Sequence, residues 1–111
     1  MSESGSDYRR LLLRSWWAAI DAVGGEHVVH SHLTKAPPAG DCAAVAIGKA
    51  AGAMMTGAAK ALGERLGKGL VITKHGHPGS CTDPHQECLT AGHPLPDEAS
   101  LSAGEGLLEF I

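Results

Sequence analysis

Residues 43–51, AAVAIGKAA, constrain this chain more than any other stretch. The apolar run Ala43-Ala44-Val45-Ala46-Ile47 stops at Gly48-Lys49, and an alanine-rich helical pattern starts directly after it. That order reads as a buried strand, a tight turn and the first turn of a helix. The run is continuous rather than alternating, which predicts a strand covered on both faces of a mainly parallel sheet. In such sheets ligands sit at the carboxyl ends of the strands. A helix N-terminus at that edge offers free N–H groups and the positive end of its dipole to an anion. Lys49 adds a compact, mobile positive charge. Gly48 and Lys49 are therefore the first candidates to hold a phosphate or a carboxylate. The bland alternative is a solvated lysine in the first turn of a surface helix.

The turn is neither of the common phosphate-binding motifs. A P-loop needs an earlier glycine and a Ser or Thr after the lysine, and both are missing. No G-x-G-x-x-G is present, so a dinucleotide fingerprint is absent as well.

On either side of this turn the pattern continues as an α/β chain. Tyr8, Leu11, Leu12, Trp16, Ala19, Ile20 and Val23 recur at three- and four-residue spacing, predicting an amphipathic helix over residues 8–23. Asp7 is its expected N-cap, and Gly24-Gly25 its end. Residues 1–7 are expected to fray. A short second helix is expected over residues 26–33, then a Pro-Pro-Ala-Gly turn at 37–40. The helix after Lys49 should run over residues 50–66, with Met54 and Met55 as core filler. Gly69-Leu70-Val71-Ile72-Thr73 reads as a second strand, parallel to the first because one helical crossover joins them. A loop over 74–87 leads to a third strand at 88–92. After His93-Pro94-Leu95-Pro96, Asp97 is expected to cap a last helix. One of Trp16 and Trp17 is expected in the core.

Composition excludes several classes. With 43% hydrophobic and 19% charged residues the chain is globular rather than disordered. Its net charge of −3 gives no broad basic surface for nucleic acid. Two Trp, one Tyr and one Phe are too few for a base-stacking platform. No apolar run approaches the ~20 residues that span a bilayer. The polar start and the Arg14 interruption do not read as a signal peptide. Three cysteines are an odd number, which speaks against a disulfide framework and for the cytoplasm. The final helical pattern meets no stop signal, so these 111 residues read as the N-terminal part of a longer protein.

Two further groups carry candidate chemistry. His75, His77, Cys81, His85 and Cys88 fall within fourteen residues, a density that suggests zinc. Their spacing lacks any C-x-x-C pair, so no metal ligands are assigned. His93, at the end of the third strand, should face the same sheet edge as Lys49. It can donate to an anion, shuttle a proton, or hold the Pro-rich turn through a backbone hydrogen bond.

Several of these segments occur together in one known family. Gly48-Lys49-Ala50-Ala51, Gly69-Leu70-Val71-Ile72-Thr73-Lys74, Gly76-His77 and Ala91-Gly92-His93-Pro94-Leu95-Pro96-Asp97-Glu98-Ala99-Ser100 resemble the N-terminal domain of glycerate kinases of the glycerate 2-kinase type. Some members carry the older label hydroxypyruvate reductase. The resemblance runs from about Arg9 to Ile111. It implies a Rossmann-like α/β/α sandwich with a mainly parallel sheet, preceded by an amphipathic helix. The chain would be the first part of the large α/β domain, without the C-terminal domain. It implies ATP-dependent phosphorylation of D-glycerate, to 2-phosphoglycerate, with Mg2+ and an active site in the cleft between two domains. Lys49 matches the functional lysine of the family, as catalytic and substrate-binding residue, and Gly48 and His93 fall at substrate-binding positions. Gly76 and His77 lie in matching motifs. Glycerate and a nucleotide are the implied partners, and a homo-oligomer stays open. The Cys81, His85 and Cys88 cluster matches no family motif. Two rivals remain: a non-catalytic anion- or metal-binding module, and a hydroxypyruvate reductase, which the missing fingerprint disfavours.

Overall fold

A computed structural model describes residues 4–77 and 83–111. Its elements are α1 (Gly5–Ala22), α2 (Gly25–Lys35), β1 (Cys42–Ile47), α3 (Ala51–Leu62), β2 (Leu66–Lys74), β3 (Gln86–Ala91) and α4 (Glu98–Phe110). The three strands form one parallel sheet in the order β1-β2-β3. The expected α/β fold and the parallel pairing of the first two strands are both present.

The sheet is sandwiched where β2 runs. Successive residues of a strand point to opposite faces. On one face Val71 packs with Ala51 and Met55 of α3. On the other, Leu70 and Ile72 pack with Ala103 of α4, flanked by Leu89, Leu107 and Phe110. Ala51, Met55, Ala58 and Leu62 recur at four-, three- and four-residue spacing, which turns one side of α3 onto the sheet. The glycine on its outer side admits α2: a Cβ on Gly57 would lie 2.3 Å from the Glu26 carbonyl oxygen. Lys60 pairs with Glu26 across the same contact.

Several expectations are corrected. β1 is covered on one face only. Ala44 and Ala46 pack towards α3, while Val45 and Ile47 are 40% and 59% exposed, because α4 lies over β2 and β3 and stops short of this edge strand. α3 ends at Leu62, four residues early, because Gly63 adopts φ +57 and turns the chain into a short 3-10 segment, Gly63–Arg65. β2 consequently starts at Leu66. α1 starts at Gly5 with Ser4 as N-cap. Asp7 serves instead as the N3 residue, its carboxylate accepting from the Ser4 N–H. Gly24 is the N-cap of α2, which runs two residues past its expected end to Lys35. Met55 is core, but Met54 is 38% exposed. Trp16 and Trp17 are both 55% exposed and pack edge to face against each other, with centroids 4.7 Å apart.

α1 as a whole has no buried residue. The radius of gyration, 17.9 Å, exceeds the ~13 Å of a compact chain this long, and the longest dimension is 65 Å. An 18-residue helix is about 27 Å long and here projects from the sandwich.

Candidate functional site

The register of the sheet brings the chemistry to one edge. β1 ends at Ile47, paired with Ile72, and the Gly48 N–H donates to the Ile72 carbonyl at 2.9 Å. On the other side of β2, Lys74 pairs with Ala91, and the His75 N–H donates to the Ala91 carbonyl at 3.1 Å. Gly48-Lys49 and Gly92-His93 therefore leave the sheet on either side of the Thr73-Lys74 end of β2. Between them lies a cavity of about 150 Å3, lined by Ile47, Gly48, Lys49, Ile72, Thr73, Lys74, Ala91, Gly92 and His93. It is smaller than the ~300–1,000 Å3 that encloses a drug-sized ligand, and suits a small anion or one end of a substrate.

Each wall has a local cause. Gly48 adopts φ +123, a conformation that disfavours any side chain, and the space above its Cα is open. Ala50, the N-cap of α3, has only a methyl group and caps no first-turn N–H, although the Ala51 N–H donates to the Gly48 carbonyl at 3.1 Å. Lys49 is exposed, and among the described residues no carboxylate pairs with it. Gly92 is required by close approach: a Cβ there would lie 2.5 Å from the Leu95 carbonyl oxygen and 2.8 Å from the Asp97 carboxyl carbon. That approach wraps His93-Pro94-Leu95-Pro96, which includes a cis His93-Pro94 peptide, around the start of α4. His93 lines the cavity as expected. Gly76 and His77 do not. They form a turn beyond β2, with Gly76 at φ +81 and the His77 N–H donating to the Lys74 carbonyl.

Three groups sit at this edge that the sequence did not assign to it, His75 among them having counted only with the His and Cys of the following loop. His75 bridges Thr90 (Nδ1 to Oγ1, 3.0 Å) and Asp97 (Nε2 to Oδ2, 2.8 Å). An ionised carboxylate only accepts, so the His75 Nε2–H donates to it. This bond and the Gly92 N–H hold the Asp97 carboxyl down at about 2, with Ser100 adding smaller help. Asp97 thus does more than cap α4: it ties the loop after β2 to the turn after β3. The pair is 22 residues apart, so only the topology reveals it. The second such group is Lys74. The third is Thr73, 3% exposed, whose Oγ1 has no hydrogen-bond partner. A hydroxyl closing an apolar strand was the available signal.

Among the described residues no three His, Cys, Asp or Glu side chains converge as metal ligands would. Cys81 lies outside the described residues. Cys42 is a free thiol. A second cavity, about 450 Å3 and lined by Gly63, Leu66 and Gln86 among others, opens at the opposite, amino-terminal edge of β2 and β3. Sheet topology favours the carboxyl edge for a ligand. No described helix is long and apolar enough to cross a membrane.

Comparison with known proteins supports the fold and the family. A D-glycerate 2-kinase of Thermotoga maritima is 42% identical over 67 residues, 60% of this chain and 16% of the relative. An Agrobacterium vitis protein, provisionally named hydroxypyruvate reductase, is 34% identical over 103 residues, 93% of this chain and 23% of the relative. The crystal structure of a glycerate kinase from Thermotoga maritima superposes with a TM-score of 0.83 at 33% identity, over 96% of this chain and 25% of that one. The chain thus spans a quarter or less of the length of these relatives. The model of the domain of unknown function DUF4147 matches residues 11–111, and the chain belongs to that family, as homologue of the N-terminal region of D-glycerate 2-kinases.

Proposed function

We propose that this chain supplies one wall of the active site of an ATP-dependent D-glycerate kinase, which forms 2-phosphoglycerate. The observation that carries the reading is the unpaired Lys49 at the uncapped start of α3, opening on a cavity with no acidic side chain. Such a place attracts the oxygens of an anion, and both glycerate and a transferring phosphoryl group are anions. Phosphoryl transfer asks mainly for positioning and for stabilisation of charge spread over oxygens. Lys49 and the α3 N–H groups supply that charge, Gly48 permits close approach, and His93 closes the far side.

ATP and Mg2+ are implied for the family, and the fit of this chain to them differs. The cavity suits phosphoryl or carboxylate oxygens. It offers no carboxylate to a hard cation, which prefers oxygen ligands, and Asp97 is already engaged by His75 and Ser100. No step is therefore assigned here to a metal. With a single wall, this chain alone is expected to be inactive, since it can neither align two substrates nor exclude water. A reductase reading is disfavoured because the β1-to-α3 turn lacks the dinucleotide fingerprint.

A coupled assay on the whole protein decides the matter. ATP consumption that depends on D-glycerate is expected. NADH oxidation by hydroxypyruvate without such ATP use would overturn the kinase reading.

A further inference from the structure

Thr73 is the residue whose state in the fold is least explained by folding. It lies near the carboxyl end of the central strand, 3% exposed, and its Oγ1 has no partner. Burying a hydroxyl without a hydrogen bond is unfavourable, and valine would fill nearly the same shape without that penalty. Buried side-chain polar atoms are usually paired, so an orphan asks for a reason. Its position gives one. Strand alternation puts Thr73 on the face of Val71, which packs against Ala51 in the first turn of α3. Two residues further on, Thr73 sits at the level where the Gly48 N–H leaves the ladder to bond Ile72. It lines the same cavity as Gly48, Lys49 and His93. Its hydroxyl is thus buried on the α3 side of the sheet edge at which Gly48 and Lys49 lead into the start of α3.

We propose that the Thr73 hydroxyl is a substrate-binding group, donating a hydrogen bond to an oxygen of the anion seated between Lys49 and the first turn of α3. The inference rests on the kinase reading, and on that reading the anion is the glycerate carboxylate or the transferring phosphoryl group. Binding supplies the acceptor that the fold withholds. The hydroxyl is then satisfied only in the liganded state. Because it is fixed on the central strand, it orders the anion without ordering a flexible side chain, unlike Lys49.

The test is steady-state kinetics and thermal unfolding of the whole protein with Thr73→Val, Thr73→Ser and Thr73→Ala. Thr73→Val should keep or raise Tm, since it removes an unsatisfied buried hydroxyl. It should impair catalysis about 10- to 100-fold, the range for a lost hydrogen bond to a charged group. A carboxylate partner predicts that the loss falls on KM for D-glycerate, with KM for ATP and kcat nearly unchanged. A phosphoryl partner predicts a loss in kcat or in KM for ATP. Thr73→Ser should recover most of the activity. Thr73→Ala repeats the comparison with a smaller side chain. Folded valine and alanine variants with wild-type constants would overturn the inference and leave the kinase reading standing. A lowered Tm with unchanged kinetics would overturn it too, by marking a structural role. Wild-type protein without glycerate-dependent ATP turnover would overturn the kinase reading and this inference with it.

Discussion

α1 and α3 begin from similar patterns and end in opposite surroundings. Both carry apolar residues at three- and four-residue spacing, yet α1 has no buried residue in 18 and α3 has five in 12. The difference lies in side-chain size and in chain position. The buried side of α3 is Ala51, Met55, Ala58 and Leu62, with Gly57 facing α2, and small residues let the sheet and a second helix approach closely. Its neighbours β1 and β2 are joined to it by short connections. α1 carries Leu11, Leu12, Trp16, Trp17 and Ile20, all of them more than a third exposed. Helical periodicity therefore reports which face is apolar, and says nothing about what covers it.

The largest effect should come from the core that α3 and α4 enclose. Leu70 is fully buried, so Leu70→Ala leaves a cavity and should cost about 2–5 kcal/mol. Leu12→Ala removes the same atoms from a residue 71% exposed, and should stay within about 0.5 kcal/mol. Urea unfolding of both variants measures the contrast. Equal costs would mean that α1 is packed in solution and that the two helices do not differ.

The next test separates the two ends of α3. Lys49→Ala should reduce turnover of the whole protein at least ~100-fold, as for removal of one well-placed charge-stabilising group. Lys49→Arg should not restore it fully, because a planar guanidinium does not reproduce a compact ammonium. Lys60 lies at the far end of the helix and pairs with Glu26, so Lys60→Ala should leave turnover near wild type. If the two alanine variants give equal turnover and equal thermal unfolding, Lys49 is only a solvated helix residue.

A pair of glycines tests why α3 packs and where packing stops. A Cβ on Gly57 would meet the Glu26 backbone, so Gly57→Ala should push α2 away and cost about 1–3 kcal/mol. Gly104 lies inside α4 with nothing within 4 Å of its would-be Cβ, so Gly104→Ala should stabilise by about 0.5–1 kcal/mol through helix propensity. Calorimetric unfolding that moves both variants in one direction would contradict the close α2–α3 contact.

What was legible in the sequence was mostly local. The strand-turn-helix at residues 43–51, the parallel crossover to Leu70-Val71-Ile72 and the Asp97 cap each follow from a few adjacent residues and recur in the structure. The helix end at Leu62 was misplaced because Gly63 and Gly67 are both plausible stops, and only the backbone shows which takes positive φ. The exposed face of β1 was misread because a continuous apolar run fits a doubly covered strand, whereas α4 covers only β2 and β3. Gly48, Lys49 and His93 converge as expected because parallel strands send their carboxyl ends to one edge. His75 with Asp97, and Thr73 without a partner, depend on register and burial, which no spacing rule reports.

The smallest effect concerns how α4 is held, the second helix that, unlike α1, is docked on the sheet. Asp97 caps α4 and accepts from His75 and the Gly92 N–H, which lowers its carboxyl from 3.8 to about 2. The unfolded chain therefore binds a proton at higher pH than the folded one. Stability from this group is fully present above about pH 4 and is lost as pH falls through about 2. Asp97→Asn cannot titrate, so its stability should change less than wild type between pH 4 and pH 2. Urea midpoints of the two proteins across that window give the difference directly. The site is exposed and salt-screened, so the effect should be modest and should shrink at high ionic strength. Parallel pH curves for wild type and Asp97→Asn would show that the His75–Asp97 tie does not hold α4 to the sheet edge. α4 would then rest on its apolar contacts through Ala103 and Leu107 alone, as α3 does through Ala51 and Met55.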